Sequence, residues 1–274
     1  MAKRAIREAE EDLPTITESI MKMNPLERLS CLMTYHQVGK HVTFSQTRHI
    51  SILDIGCGDG LFLRKFFDMI PQGRNNLMYV GIDISLRKLH FAQNNARKLD
   101  WIETHFVLAD AESLPFRVSV FDIATIIEVI EHLPDPGALI SELDRAIRPD
   151  GKVIITTPSA YGTKGNFSII LKNICFLKQS VSHREKYIVI RGKKLPHRDF
   201  TLNEITTIFL PHFGIIKIYS FNFGAIYHVL AKFLPHRILA LIILCLENHA
   251  PKLPSTWGNN WLVYAKKNYE DASL

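Results

Sequence analysis

Residues 49–63 read HISILDIGCGDGLFL, and this stretch decides the fold. Ile50, Ile52, Leu53 and Ile55 make a buried strand that runs into a glycine-rich turn and then an amphipathic helix. In the turn, Asp54 leads Gly56, Gly58 and Gly60, with Ile55, Cys57 and Asp59 between them. Glycine is needed where the backbone takes positive φ or where a ligand would collide with a Cβ. A strand, a glycine turn and a helix start together present backbone N–H groups to a ligand. The spacing excludes two common uses. A G-x-G-x-x-G dinucleotide fingerprint from Gly56 or Gly58 would need glycine where Leu61 or Leu63 stands, and no Gly-Lys-Ser/Thr follows to make a phosphate loop.

Outward from that turn the chain alternates strands and helices. Downstream, LMYVGIDI over 77–84 is a second apolar strand, with Asp83 near its carboxyl end and Ile84 beside it. An acid about 20 residues past a glycine loop suits the two ribose hydroxyls of an adenosine cofactor. Ser85 is the better placed cap for the helix expected over 85–98, where Leu86, Leu89 and Ala92 share a side. A third strand, within THFVLADAESLPF, ends at Asp110 and Ala111, and a fourth, FDIATII, leads into Glu128, Glu131 and His132. Asp135-Pro136 opens a helix carrying Leu139, Leu143 and Ile147, RPDG at 148–151 reads as a turn, and VIITTP as a fifth strand. Continuous apolar strands between amphipathic helices imply a parallel sheet covered on both faces. Ligands of such sheets sit outside the carboxyl ends of the strands, where the glycine loop, Asp83, Asp110 and Glu128 all fall.

Upstream, residues 2–40 read as helical, with Asn24-Pro25 as cap and first position of a helix bearing Leu26, Leu29 and Met33. Downstream of Pro158 the pattern loosens through a basic run, HREKYIVIRGKKLPHR at 183–198, read as a solvated loop with phosphate contact as its functional alternative. Thr201-Leu-Asn-Glu204 is a capping box opening a helix. Strands are expected at 215–221 and 261–265, separated by an insertion over 222–258 far longer than a hairpin loop. The insertion carries YHVLAKFLPHRILALIILCLE, which reads as a lid or, given Lys232, His236 and Arg237, as a helix pair at a bilayer surface or around an apolar acceptor.

The D-x-G-x-G-x-G turn, Asp83, the Asp110-Ala111 phrase and Glu128-x-x-Glu131-His132 together resemble the class I S-adenosylmethionine-dependent methyltransferases, specifically the ubiquinone and menaquinone biosynthesis type (the methyltransferase type 11 group). The resemblance is specific over 49–157, loose to about 221 and absent in the insertion. It implies an α/β, Rossmann-like sheet of seven mostly parallel strands with helices on both faces, the last strand antiparallel, plus the apolar helical insertion. It divides the chain into a helical leader over 1–48 and a methyltransferase domain over 49–274, with its core at 49–157 and an acceptor-side segment at 158–200. Asp54, Gly56, Cys57, Gly58 and Gly60 would shape the methionine pocket of S-adenosyl-L-methionine, Asp83 and Ile84 the ribose site, Asp110 and Ala111 the adenine site, and Glu128 would face the cofactor.

Methyl transfer from a sulfonium needs alignment and exclusion of water more than covalent help. A hydroxyl acceptor must also lose a proton, to a base or under the influence of a metal. Glu128, Glu131 and His132, spaced i, i+3, i+4, would share one face if they lie on a helical turn, with His197 joining from HRDFTLNE. His132, Glu128 and His197 are therefore the catalytic candidates. Two readings stand side by side. In one, Glu128, Glu131, His132 and His197 hold Mg2+ or Mn2+, as the resemblance to small-RNA 2′-O-methyltransferases would have it; in the other Glu128 faces the cofactor while Glu131 and His132 form a hydrogen-bonded loop support, and a metal-free site with His132 as the base stands beside both. The acceptor expected is a small or lipid-linked molecule methylated on oxygen, with RNA as the first alternative and a non-catalytic cofactor-binding module as the second.

Bulk composition is compatible with this reading. A 274-residue chain with 47% hydrophobic and 22% charged residues is an ordinary globular protein, and a formal charge of +6 does not single out nucleic acid. Four cysteines without a C-x-x-C suggest neither zinc nor a disulfide framework, and a reducing, cytoplasmic setting is expected. The charged N-terminal stretch does not read as a secretory signal. No run of about 18 apolar residues is present, so membrane contact would be peripheral, through 224–254.

Overall fold

The computed structural model of the chain describes residues 7, 11, 15–22, 25–42, 48–67, 76–97, 99, 102–160, 186–190, 193–223, 233–253 and 258–268. Seven strands form one sheet: β1 (Ile50–Ile55), β2 (Leu77–Asp83), β3 (Glu103–Leu108), β4 (Phe121–Ile127), β5 (Ile147–Pro158), β8 (Phe213–Phe221) and β9 (Asn260–Lys267), in the order β3-β2-β1-β4-β5-β9-β8. β1 pairs in parallel with β2 and β4, β2 with β3 and β4 with β5, whereas β9 runs antiparallel to both β5 and β8. The seven-stranded sheet with its antiparallel last strand is therefore as expected.

Successive side chains of these strands bury on opposite faces. Ile52, Tyr79, Ile154 and Leu262 belong to one core, and their neighbours Leu53, Val80, Ile155 and Val263 to the other. Helices α2 (Pro25–Gly39) and α3 (Leu61–Phe67) cover the first face through Tyr35, Val38, Phe62 and Phe66. Helices α5 (Pro136–Ala146) and α6 (Leu202–Phe209) cover the second through Leu139, Leu143, Ile205 and Phe209. Between β2 and β3 lies α4 (Leu86–Ala96), capped by Ser85, whose Oγ accepts from Lys88 N at 3.2 Å. The leader opens with α1 (Ile16–Lys22), and the insertion contributes α7 (His236–His249). Among the described residues no helix is long and apolar enough to cross a membrane.

Three local expectations are corrected. RPDG does not end a helix–strand link as a separate turn: residues 148–151 lie within β5 as an irregularity, where Asp150 takes φ +65° and pairing with β4 shifts between Phe121 and Ile123. Gly151 permits it, because a Cβ there would meet the Arg148 carbonyl and the Asp122 backbone. The basic run is not a plain loop, since β6 (Lys186–Ile190) and β7 (Lys193–His197) pair antiparallel as a hairpin, with Lys186 opposite His197. Of the helix pair expected in the insertion, α7 is present, and 224–232 lies outside the described residues.

The capping box is formed as read. Thr201 Oγ1 accepts from Glu204 N at 3.2 Å and Glu204 Oε2 accepts from Thr201 N at 2.7 Å. It fixes the segment before α6, where Phe200 N donates to the Pro158 carbonyl, and the Phe200 carbonyl accepts from Ala160 N and Trp261 Nε1. Thr201→Ala is expected to lower stability by about 1 kcal/mol. In urea unfolding this is read as a lower midpoint with an unchanged slope.

Candidate active site

The glycine loop closes over the carboxyl ends of β1, β2 and β4. Gly56, Gly58 and Gly60 have φ of +68°, +55° and +76°, values that a Cβ disfavours. At Gly56 a Cβ would also run into Val129 Cγ2, and at Gly60 it would press on Ala92 of α4 at 3.3 Å. The loop is thereby wedged between the turn after β4 and the helix after β2. Cys57 is buried, its N–H donating to the Ile82 carbonyl at 2.9 Å and its Sγ lying where a Cβ on Gly81 would be.

Beneath the loop, Asp54 is buried and its carboxylate accepts from Tyr79 Oη and, at 2.7 Å, from Thr125 Oγ1. Asp54 thus forms the floor of the loop. Burial pushes its carboxyl up to about 7, against the opposing hydrogen bonds of Tyr79 and Thr125. Asp83 links loop and helix: Oδ2 accepts from Gly58 N at 2.9 Å and Oδ1 from Ser85 N at 2.8 Å. A carboxylate has about four acceptor positions, and two of them here face backbone donors. Ile84 follows, partly buried. Next along the rim, Ala109 N donates to the Asp83 carbonyl, Asp110 Oδ1 accepts from Glu112 N at 2.9 Å, and Ala111 packs against the second core.

The phrase after β4 departs from the expected helical turn. Only Ile130–His132 is helical, as a single 3-10 turn, and Glu128 precedes it with φ +56°. A left-handed residue interrupts the helix, so the i, i+3, i+4 spacing does not put the three side chains in one row. Instead Glu128 turns to β9, where Asn260 Nδ2 donates to its Oε2 at 2.8 Å; its Oε1 is shut off from solvent without a partner among the described residues. Glu131 is 2% exposed, accepts from Thr157 Oγ1 at 3.2 Å, and holds Oε1 4.0 Å from His132 Nε2. The His132 and His197 rings lie 5.2 Å apart, His197 Nε2 is 3.7 Å from Asp199 Oδ1, and Arg198 N donates to the Glu131 carbonyl at 3.0 Å. The hairpin strand β7 thus delivers His197 to His132.

Burial pushes Glu131 well up, and the charges of Glu128 and Asp199 push it further; burial likewise raises Glu128, against the hydrogen bond from Asn260. These two carboxyls hold protons readily. That donor set does not fit a divalent cation. Each glutamate turns an oxygen to a neutral hydrogen-bond donor, and among the described residues no three His, Cys, Asp or Glu side chains converge as metal ligands. His132 lies beside Glu131 and His197, but the expected metal set of Glu128, Glu131, His132 and His197 forms no three-ligand cluster among the described residues. The glycine loop, by contrast, fits the cofactor that the sequence implies: it offers a Cβ-free cradle next to Asp83, with a buried carboxylate oxygen, Asp59 Oδ1, left unpartnered among the described residues.

Sequence reading passed over Asn260, Thr157 and Asp199. Asn260 and Thr157 are polar residues inside strands and carry no local signal, and Asp199 sits beside His197 in a phrase read only for its histidine. The leader also carried a usable signal. Thr15 and Glu18 form a capping box, with Thr15 N to Glu18 Oε2 at 2.7 Å and Glu18 N to Thr15 Oγ1 at 3.1 Å.

Comparison with known proteins gives three findings. A family profile described as a methyltransferase domain matches residues 46–209. Ubiquinone biosynthesis O-methyltransferases of Coxiella burnetii and Bartonella tribocorum are similar: 28% identical over 136 residues (50% of this chain, 53% of the relative) and 32% over 127 residues (44% and 47%). The chain spans about half the length of these curated relatives. Among solved structures, the [4+2]-cyclase SpnF superposes with a TM-score of 0.58 at 16% identity, over 90% of this chain and 84% of that one. A putative S-adenosylmethionine-dependent methyltransferase from Listeria monocytogenes gives 0.57 at 12%, over 87% and 100%. At such identities the structures share the fold.

Asp54 generates a test of the site's electrostatics. A carboxyl raised from about 3.9 in the unfolded chain to about 7 in the fold stabilises fully below the lower value. That contribution is lost as pH climbs through the upper value. The wild-type unfolding free energy from urea titrations is expected to fall between about pH 4 and 7 by up to about 1.4 kcal/mol per pH unit from this group. Asp54→Asn is expected to flatten that segment of the profile.

Proposed function

We propose, from the premise that the chain belongs to the methyltransferase-domain family, that it transfers the methyl group of S-adenosylmethionine to an oxygen of a small or lipid-linked acceptor. The observation that carries this reading is His132, placed beside Glu131 and His197, next to a glycine loop that fits the cofactor. Bound S-adenosylmethionine supplies a methyl group already activated on a sulfonium.

The chain's own part is to hold, align and deprotonate. Gly56, Gly58 and Gly60 make room for the methionine end, Asp83 accepts the ribose hydroxyls, and Asp110 with Ala111 borders the adenine. The His132 imidazole, about one-third exposed, takes the proton of the acceptor hydroxyl. Glu131 Oε1, 4.0 Å from His132 Nε2, lies beside the ring that gains the charge. His197, oriented by Asp199, limits the freedom of the His132 ring.

Oxygen as the target is supported by the named activity of the curated relatives and by this base. An apolar tail on the acceptor is supported by the insertion. Phe233, Ile238, Leu241 and Leu244 turn apolar side chains outward from α7 and the turn before it, with Leu241 67% exposed. The insertion leaves β8 at Phe221 and returns at Asn260, whose side chain holds Glu128, so it opens beside the transfer site.

The test uses S-adenosylmethionine labelled on the methyl group, a panel of phenols with and without a prenyl tail, and mass spectrometry of the product. Methyl ethers, formed faster from the tailed phenols, are the expected result; label on nitrogen or carbon overturns the assignment to oxygen. His132→Ala is expected to lower kcat by about 10²–10⁴ with KM for the cofactor unchanged. A chelator is expected to leave turnover unchanged.

A further inference from the structure

The insertion helix α7 has an inner and an outer face of different character. Leu239, Ile243, Glu247 and Ala250 are buried, and Leu246 packs against the first core. Glu247 pins this inner face: Oε1 accepts from Phe223 N at 3.1 Å, Oε2 from Gln37 Nε2 at 3.2 Å, and its carbonyl from Gln37 Nε2 at 2.6 Å. Because the inner face is bonded to α2 and to the chain just past β8, the direction of the outer face is fixed. Ile238, Leu241, Leu244 and Cys245 lie along that outer face at helical spacing, all exposed, and Phe233 in the turn before α7 is 77% exposed. Large apolar side chains gathered on one exposed face mark a place where something apolar binds.

The end of that stripe is basic. Asn248 continues it by one more turn, and Lys40 Nζ reaches Asn248 Oδ1 at 3.5 Å. Lys217 lies close enough to Lys40 to act on its charge, and Lys252 follows α7 in the 3-10 turn Ala250–Lys252. All three lysines are exposed, and among the described residues none of them forms a salt bridge. The only acid between 233 and 253 is Glu247, turned inward and 2% exposed. Leucine and isoleucine ending in lysines complement a surface that is anionic at its skin and apolar beneath. A second copy of the chain is a poorer cover. α7 has 14 residues. Its outer face is therefore about 21 Å long and about 10 Å across, roughly 200 Å². A stable pair buries about 800 Å² on each partner.

We infer that α7 binds the surface of an anionic bilayer and lies in its plane, with Ile238, Leu241 and Leu244 in the acyl boundary and Lys40, Lys217 and Lys252 at the lipid phosphates. A helix of this kind sinks about 5–10 Å into the headgroup region. Lysine suits the rim because its stem lies along apolar groups while the ammonium stays with the phosphates. The insertion leaves the sheet at Phe221 and rejoins it at Asn260, which holds Glu128, so the bound surface stands beside the transfer rim. The inference goes beyond the methyl-transfer reading and does not depend on it, because binding to lipid needs neither cofactor nor acceptor.

The experiment is sedimentation of the full chain with vesicles of phosphatidylcholine alone and of equal parts phosphatidylcholine and phosphatidylglycerol. Wild type is expected to bind the anionic vesicles about tenfold more tightly or better, by a margin that shrinks as salt is raised. Ile238→Ser with Leu241→Ser is expected to weaken that binding by about tenfold or more. Its urea midpoint should stay at the wild-type value, since both side chains are exposed. Lys40→Glu with Lys252→Glu is expected to remove most of the preference for anionic vesicles and to leave the weaker binding to phosphatidylcholine. Three results overturn the inference: no binding of wild type to the anionic vesicles, equal binding to both kinds, or binding that survives Ile238→Ser with Leu241→Ser. A dimer in sedimentation velocity that the same double variant dissociates, with no vesicle binding, assigns the face to a second copy and overturns the inference too. Ether formation from the phenols is a separate readout, so the failure of either reading leaves the other standing.

Discussion

The carboxylate of Asp83 receives two backbone N–H groups, Gly58 from the glycine loop and Ser85 from the start of the next helix. The glycine loop, the end of β2 and the start of α4 meet on one side chain. Without it the loop would have a strand beneath it and nothing to set its height. With it, Gly58 is drawn towards β2 while Gly56 is stopped by Val129 and Gly60 by Ala92. The loop's positive-φ conformation is thus imposed from three sides, which is what makes its N–H groups a fixed surface before any ligand arrives.

The same rim explains why acid and base groups collect after β4. A parallel sheet delivers every strand's carboxyl end to one edge, and the buried carboxyls there raise one another's proton affinity because little solvent separates them. Glu128 and Glu131 stay near each other without sharing a helix face, held by Asn260 and Thr157 from the antiparallel strand β9 and from β5. Among the described residues these side chains form no three-ligand cluster.

Legibility in the sequence followed the range of the interactions involved. Strands β1, β2, β4 and β5 were readable because burial on both faces leaves a continuous apolar run, and Ser85, Asp135 and Thr201 because a cap bonds within three residues of itself. The glycine loop and Asp83 were readable because their spacing follows from one strand–turn–helix–strand unit. What could not be read depended on distant partners. Glu128 bends into a left-handed conformation to meet Asn260, 132 residues on, and nothing around Glu128 announces it. Residues 148–151 looked like a turn by composition, yet the pairing of Phe121 with Ile147 and of Ile123 with Lys152 on either side keeps them in β5. The contact between Thr17 and Asp59, 42 residues apart, was equally out of reach.

Asn260 has one more consequence. It is the first residue of β9 after the insertion, and it grips Glu128 while pairing through its backbone with Phe221 and Pro158. Both ends of the insertion are thereby riveted to the sheet, and Gly258 lies so close to the Phe221 backbone that no side chain would fit there. Such a joint behaves as a socket. Segments of different length and chemistry can be plugged between Phe221 and Gly258 while the catalytic rim keeps its shape, so this lineage could change what it modifies by exchanging one cassette and leaving the rest of the chain alone.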